Sequence, residues 1–252
     1  MVNILINGAL GRMGKKVYEA VCLNENAKVV CGIDVKEENT LFPIYNSFDK
    51  VTEKVDVIID FSSPVVLDKL LNFAVNTNTP VVLCTTGYTA EDIEKINNAS
   101  KKVALFRSAN MSLGVNAVIE LIKEATKLLY GFDIEIIEKH HNQKVDSPSG
   151  TALMLADAVK SVNTDSNFIY GRVGKVGKRT KTEVGIHAVR GGTIVGEHDV
   201  LFAGENETIT ISHSAQDRSV FAFGAVKAAI FLSGKGAGMY NMQNLIEDSK
   251  NA

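Results

Sequence analysis

From Val2 to Phe106, continuous runs of Val, Ile and Leu alternate with amphipathic stretches, and that rhythm leaves the chain few ways to fold. The runs are Val2–Asn7, Lys28–Asp34, Val55–Phe61, Val81–Cys84 and Val103–Phe106. Successive side chains of a strand point to opposite faces, so a strand apolar at every position needs cover on both sides. Predicted helices lie between the runs. One ends near Cys22, one spans Val65 to Val75, and one precedes Val103 with Thr89 and Asp92 placed to cap its start. Buried strands separated by helices predict an α/β architecture, a doubly wound parallel sheet.

The first turn of that sheet carries chemistry. Gly8-Ala9-Leu10-Gly11-Arg12-Met13-Gly14 follows the first strand and opens the first helix. Glycines there allow a tight turn and a close approach of backbone to a pyrophosphate, and the helix start offers N–H groups to the anion. The spacing is GxxGxxG rather than the common GxGxxG, so a turn that only packs helix on sheet stays open on the glycines alone. Asp34 adds to the nucleotide reading. It ends the second strand, twenty residues beyond Gly14, where an acidic residue accepts hydrogen bonds from ribose hydroxyls. A Rossmann-type dinucleotide site is the expectation. A carboxylate at the ribose repels a 2′-phosphate, so NADH is favoured over NADPH, with Lys36 softening the preference.

The pattern changes near Ser112. A helix over Val115–Tyr130 leads to the alternating strand Ile134–Lys139, and a second helix runs from Ser149 to Val159. Three more alternating segments, Val184–Arg190, Thr193–Phe202 and Glu207–His213, predict antiparallel strands. The apolar helix Phe221–Leu232 returns to the first domain. The domains expected are therefore 1–111 with 219–252 for the dinucleotide, and an inserted α+β domain with a mixed or antiparallel sheet at 112–218. Between its elements, residues 171–182 form a glycine-basic loop. It reads either as a solvated flap or as a place where Arg172, Lys175, Lys178 or Arg179 covers an anionic ligand.

Composition narrows the class. A net charge of −2 gives no general attraction to nucleic acid or anionic lipid. Three cysteines without CxxC spacing provide no disulfide framework and fit a reducing compartment. Met1-Val2-Asn3-Ile4-Leu5 does not read as a signal peptide, and no apolar run approaches the roughly 18 residues of a membrane span. A cytoplasmic protein is expected, with no membrane or nucleic-acid partner.

The most informative stretch is EKHHNQKVDSPSGTA at 138–152. His140 and His141 are adjacent and Lys144 follows. Neighbours on an extended chain point apart, so the two histidines do not chelate one metal together, and no metal site is expected. A basic polar loop is the plain alternative. Ser149 can cap the helix that follows, and Gly150 and Thr151 supply first-turn N–H groups and a hydroxyl, an anion site suited to an organic carboxylate. A bound dianion favours the protonated imidazole, which makes His140 a candidate general acid. His187, His198 and His213 sit in strand-like segments and read as structural. Arg190 and Glu197 bracket a turn and carry no assigned role.

The segment resembles the signature of the 4-hydroxy-tetrahydrodipicolinate reductase (dihydrodipicolinate reductase) family of lysine and diaminopimelate biosynthesis. The resemblance runs the length of the chain, through GRMG at 11–14, TTG at 85–87, SANMSLGVN at 108–116 and VRGGTIVGEH at 189–198. It implies an oxidoreductase in which NADH or NADPH gives a hydride to a cyclic imine bearing two carboxylates, yielding tetrahydrodipicolinate. It implies His140 as proton donor and acceptor and Lys144 as a second donor, with His141, Gly150 and Thr151 on a substrate carboxylate beside Ser149. Cofactor contacts would be Gly8, Ala9, Leu10, Gly11, Arg12, Met13, Asp34, Cys84, Thr85, Thr86, Ser108, Ala109, Asn110 and Met111. A homotetramer built through the second domain's sheet is also implied. Two positions depart from the family's usual pattern. Val35 stands where an arginine is common, which weakens the case for NADPH, and Cys84 stands where glycine is common and reads as a small packing residue. Two other readings remain at this point: another two-domain dehydrogenase, aspartate-dehydrogenase-like, and a nucleotide-sensing module without catalysis.

Overall fold

A computed structural model describes residues 1–39 and 41–250. The chain divides into two compact units, one joining residues 1–112 to those from Ser219 onward, the other comprising Leu113–Arg218.

The first unit opens with β1 (Val2–Asn7), α1 (Arg12–Cys22), β2 (Ala27–Ile33), β3 (Glu38–Asn39) and β4 (Pro43–Tyr45). It continues through β5 (Val57–Asp60), α2 (Leu67–Thr77), β6 (Val81–Leu83), α3 (Ala90–Ser100) and β7 (Ala104–Arg107). The sheet order places β1 between β2 and β5, with β6 and β7 beyond β5 and β4 beyond β2. The pairs β1–β2, β1–β5, β5–β6, β6–β7 and β2–β4 are parallel, whereas the edge strand β3 runs antiparallel to β4. Ile4, Leu5, Ile6, Val57, Ile58 and Ile59 are fully buried, which is why these runs carry no alternation. The helix predicted from Val65 starts later than expected: Pro64 begins a 3₁₀ turn at 64–66, and α2 opens only at Leu67. Thr89 and Asp92 form the reciprocal cap of α3.

The second unit holds α4 (Leu113–Leu128), β8 (Asp133–His140), α5 (Gly150–Val162), β9 (Asn167–Tyr170), β10 (Glu183–Arg190), β11 (Gly196–Ala203) and β12 (Thr208–Ala215). Their sheet order is β12-β11-β8-β10-β9. One expectation fails here. β11 is antiparallel to β8 and β12, but β10 is parallel to both β8 and β9. Alternation reports which face of a strand is buried and says nothing of its direction. Direction follows from the connection, and the chain passes from β8 through α5 to β9 and then along the 171–182 loop to β10, by crossovers rather than hairpins. Ile134, Ile136, Val184, Ile186, Val200 and Phe202 share one face of this sheet and pack with Val118, Ile122, Leu155 and Val159 of α4 and α5. The opposite parity of β8 and β11, including Glu135, Ile137, Leu201 and Ala203, is only partly buried.

The chain then completes the first unit with α6 (Ser219–Leu232), β13 (Gly238–Tyr240), which pairs parallel with β7, and α7 (Met242–Lys250). α6 is packed beside α1, with Ala222, Ala225, Ala228, Ala229 and Leu232 fully buried. No helix among the described residues is long and apolar enough to cross a membrane.

Candidate active site

Four parallel strands end on one edge of the first sheet, and the chain leaving each of them carries a segment singled out from the sequence. β1 gives the glycine turn, β2 gives Asp34, β6 gives Cys84–Thr86 and β7 gives Ser108–Met111. Strand order reverses about β1, so the edge between β1 and β5 is a switch point where open α/β sheets bind ligands. A cleft of about 630 Å³ lies there, lined by Gly8, Gly11, Asp34, Val35, Phe61, Ser62 and Lys69 among others. Gly8 adopts φ +83°, and a Cβ on it would stand 2.6 Å from the Phe61 carbonyl oxygen. A Cβ on Gly14 would fall 2.2 Å from the Gly8 carbonyl oxygen, so only glycine lets α1 begin this close to the turn. The Asp34 carboxylate accepts from Leu10 N–H at 2.8 Å and Val35 N–H at 2.7 Å, which fixes the acidic group beside the turn. A bare-backbone cradle at a helix start, with a carboxylate at its rim, fits a dinucleotide.

Residues that the sequence reading passed over support this edge. Asp60, at 1% exposure, accepts from Asn7 Nδ2 at 2.8 Å, Ser62 Oγ at 2.5 Å and Tyr88 Oη at 3.2 Å. Burial raises its pKa above the ordinary carboxylate value despite donors from Ser62, Thr85, Asn7 and Tyr88. Thr85 Oγ1 in turn accepts from Ser62 N–H at 2.9 Å. The network ties the ends of β1, β5 and β6 together. Its signal was available, since Asp60-Phe61-Ser62 leaves a continuous apolar strand at the position where such sheets bind ligands. Burial and the Asp60 carboxylate push the Cys84 thiol well up, which keeps it protonated and suits a packing role.

The second unit carries a polar layer at the end of its apolar sheet face. Along β8 the buried parity runs Ile134, Ile136, Glu138, His140, and along β11 it runs Gly196, His198, Val200, Phe202; the same face of β10 carries buried Val184 and Ile186, then exposed Ala188 and half-buried Arg190. Glu138 is completely buried. It accepts from Arg190 through two bonds of 2.7 Å, from Ser149 N–H at 2.9 Å, and meets His140 Nδ1 at 2.6 Å. Burial acts to raise the pKa of Glu138, but Arg190, His140 and Ser149 outweigh it and hold the carboxyl below its ordinary range. His198 lies edge-on to His140 with ring centres 5.1 Å apart. Burial, reinforced by the charge of His140, lowers its pKa to about 4. Arg190, for which the sequence suggested no role, is thus the partner that makes a buried carboxylate tolerable.

Ser149 is turned inward at 2% exposure: its hydroxyl accepts from Ala152 N–H at 3.1 Å and bonds His198 Nε2 at 3.0 Å. With its N–H on Glu138, its polar groups are committed within the protein. Gly150 is exposed and Thr151 partly so, at the first turn of α5. Lys144 bonds Asp146 Oδ1 at 2.8 Å, and its N–H donates to the His141 carbonyl at 3.2 Å. Among the described residues, His141 Nδ1 is a buried polar atom with no hydrogen-bond partner. The Gly191-Gly192 turn pins this segment, with Gly191 N–H on the His140 carbonyl and Asn142 N–H on that of Gly192. Imidazole, ammonium and helix-start N–H groups therefore gather within one unit.

Two of the basic loop's four named cations are engaged within the second unit. Arg172 bonds Glu135 and Glu183, each at 3.0 Å. Arg179 donates to Glu135, to Asp133, and to the carbonyls of Ile134 and Glu183. These arginines neutralise carboxylates of β8 and β10, and His187 joins them at 2.7 Å from Glu135. Sequence shows a cationic run but not the carboxylates that fold beneath it.

Comparison with known proteins follows the same division. Residues 2–111 match the family described as dihydrodipicolinate reductase, N-terminus, and residues 114–246 match dihydrodipicolinate reductase, C-terminus. A 4-hydroxy-tetrahydrodipicolinate reductase of Caldanaerobacter subterraneus subsp. tengcongensis is 51% identical over 98% of this chain and 99% of the relative. One of Clostridium novyi is 48% identical over the full length of both. Among solved structures, the dipicolinate-bound dihydrodipicolinate reductase of Paenisporosarcina sp. TG-14 aligns with TM-score 0.81 and 26% identity, covering 97% of this chain and 99% of that one. The NAD(H)-bound scyllo-inositol dehydrogenase of Lactobacillus casei shares the fold at TM-score 0.60 and 14% identity, over 100% of this chain and 94% of that one.

Proposed function

The chain belongs to the dihydrodipicolinate reductase family, and from that premise we propose which of its groups carry a nicotinamide-dependent reduction of a cyclic imine bearing two carboxylates. The observation that carries this reading is the convergence of His140, His141, Lys144 and the α5 start in one unit, beside a family match covering nearly the whole chain. The substrate class rests on the dicarboxylate in the Paenisporosarcina enzyme.

When bound, the reduced nicotinamide supplies the hydride. Gly8–Met13 and Asp34 would hold the dinucleotide through backbone N–H groups and a carboxylate at the ribose, aided by Cys84–Thr86 and Ser108–Met111. Gly150 N–H and Thr151, at the positive end of α5, would take one substrate carboxylate, and His141 would donate to it. His140 delivers the proton that balances the charge on the ring nitrogen, and Lys144 stands as the second donor. Ser149 supports this site rather than touching the ligand. The Asp34 carboxylate and Val35 favour NADH, while Lys69 on the cleft wall keeps some tolerance for NADPH. The partly buried face of the second sheet suits the interface of a homotetramer. Free Cys22, Cys31 and Cys84 accord with a cytoplasmic setting.

The test is loss of reduced-cofactor absorbance with substrate generated in place from pyruvate and aspartate semialdehyde by a coupled synthase. Enzyme-dependent oxidation, faster with NADH, is expected. Cofactor binding without oxidation would instead favour a nucleotide-sensing protein.

A further inference from the structure

We propose that Glu138 is a positioning residue that holds His140 in a single tautomer, with the proton on Nδ1, and that Arg190 keeps Glu138 ionised to do so. The catalytic consequence rests on the reading of His140 as proton donor; the geometry does not.

A carboxylate has about four lone-pair sites and no proton to give when ionised. All four sites of Glu138 face a donor or the imidazole: Oε1 accepts from Ser149 N–H and Arg190 Nη2, and Oε2 from Arg190 Nη1, with His140 Nδ1 at 2.6 Å. Arg190 and a backbone amide can only donate, so Glu138 has no role left except acceptor. His140 Nδ1 must then carry hydrogen, whether the ring is neutral or charged. Only Nε2 is left to gain or lose a proton. Around it, Gly196 has no side chain, where a Cβ would stand 3.1 Å from Nε2. His198 does not compete for the carboxylate, because its Nε2 is engaged by Ser149 Oγ. Burial makes the device stiff, since Glu138 has no contact with solvent and cannot exchange a protein donor for water.

Arg190 serves the same end. A lone buried carboxylate would take up a proton rather than stay charged. The paired guanidinium bonds prevent this, and the further bond from Arg190 Nη2 to the Asp146 carbonyl at 2.8 Å fixes the guanidinium to the segment that carries Lys144. The arrangement couples the proton donor, its orienting acid and the second cationic group through one arginine.

The decisive variant is Glu138→Gln. An amide brings a donor into a ring of donors, and the arrangement that keeps most bonds turns the NH₂ toward His140, which must then accept at Nδ1 and carry its proton on Nε2. The full-length protein with isotope-labelled histidine reports the tautomer by nitrogen NMR at mildly alkaline pH, with His140 assigned by its loss in His140→Gln. Hydrogen on Nδ1 is expected in the wild type, and on Nε2 in Glu138→Gln. Turnover in that variant should fall about 10²–10⁴-fold with KM within about threefold. Wild-type hydrogen on Nε2 overturns the proposal, and this measurement needs no variant to fold. Hydrogen remaining on Nδ1 in Glu138→Gln overturns it too, whatever the turnover. Near-normal turnover in His140→Gln would remove His140 from the chemistry while the NMR result still decided the positioning.

Discussion

His198 shows how a single side chain couples this fold to pH. Its folded pKa is lowered to about 4, by burial first and then by the His140 charge, from an ordinary value of 6.5. The unfolded chain therefore binds a proton across that window and the folded chain does not. Stability is full above pH 6.5 and declines as pH falls toward 4, by roughly 3 kcal/mol in all. His213, lowered by burial, acts in the same direction. Urea midpoints measured through this range should fall with pH, and His198→Gln should flatten the slope; an unchanged slope in that variant contradicts the assignment. Asp34 supports a second prediction. Replacing it with Ser should weaken NADH binding about 10–100-fold, the worth of one or two charge-assisted bonds, and narrow the gap to NADPH. Fluorescence titration with both cofactors checks this, and equal losses for both would count against a ribose role. At this scale the sequence was legible where residues clustered, as at 138–152, and opaque where partners came from distant strands. The pairing of Glu138 with Arg190 spans 52 positions, and no local pattern announces it.

Elements were easier to anticipate, because each carries its own periodicity and caps. The parallel strands of the first unit announced themselves by unbroken apolar runs, and α3 by its capping box. The direction of β10 did not, since alternation is the same for parallel and antiparallel strands. The short strands β3, β4, β9 and β13 lack enough residues to show a period. Gly14 joins two elements where no other residue fits. Gly14→Ala should cost about 1–3 kcal/mol, by displacing α1 from the turn, and should lower cofactor affinity. A melting temperature and dinucleotide affinity both unchanged would show that the turn yields more readily than its contacts imply. The basic loop belongs to the same scale. Arg179 is only 17% exposed in its side chain and satisfies carboxylates on β8. Arg179→Met should therefore destabilise the second unit by about 2–4 kcal/mol while substrate KM stays nearly constant. A large rise in KM without loss of stability would return the loop to a ligand-covering role.

Taken whole, the molecule consists of two units of different construction. The parallel sheet provides bare backbone and helix starts at one edge, which suits a large anionic cofactor. The mixed sheet provides a buried polar layer, which suits a fixed imidazole. Both constructions were readable as folds from periodicity, but the polar layer of the second became readable only through the resemblance of one dense segment and its neighbours. A homotetramer through the open sheet face predicts about four times the 27.2 kDa chain mass in light scattering, and a monomer at working concentration would refute it. The proposed function requires that hydride pass from the nicotinamide to a dicarboxylate imine on this protein. Cofactor deuterated at the nicotinamide C4 tests that most directly, with the product examined by mass spectrometry. One deuterium per product molecule is predicted, and its appearance should slow sharply in His140→Gln. Product without deuterium, or cofactor bound with no product formed, would rule out this hydride transfer.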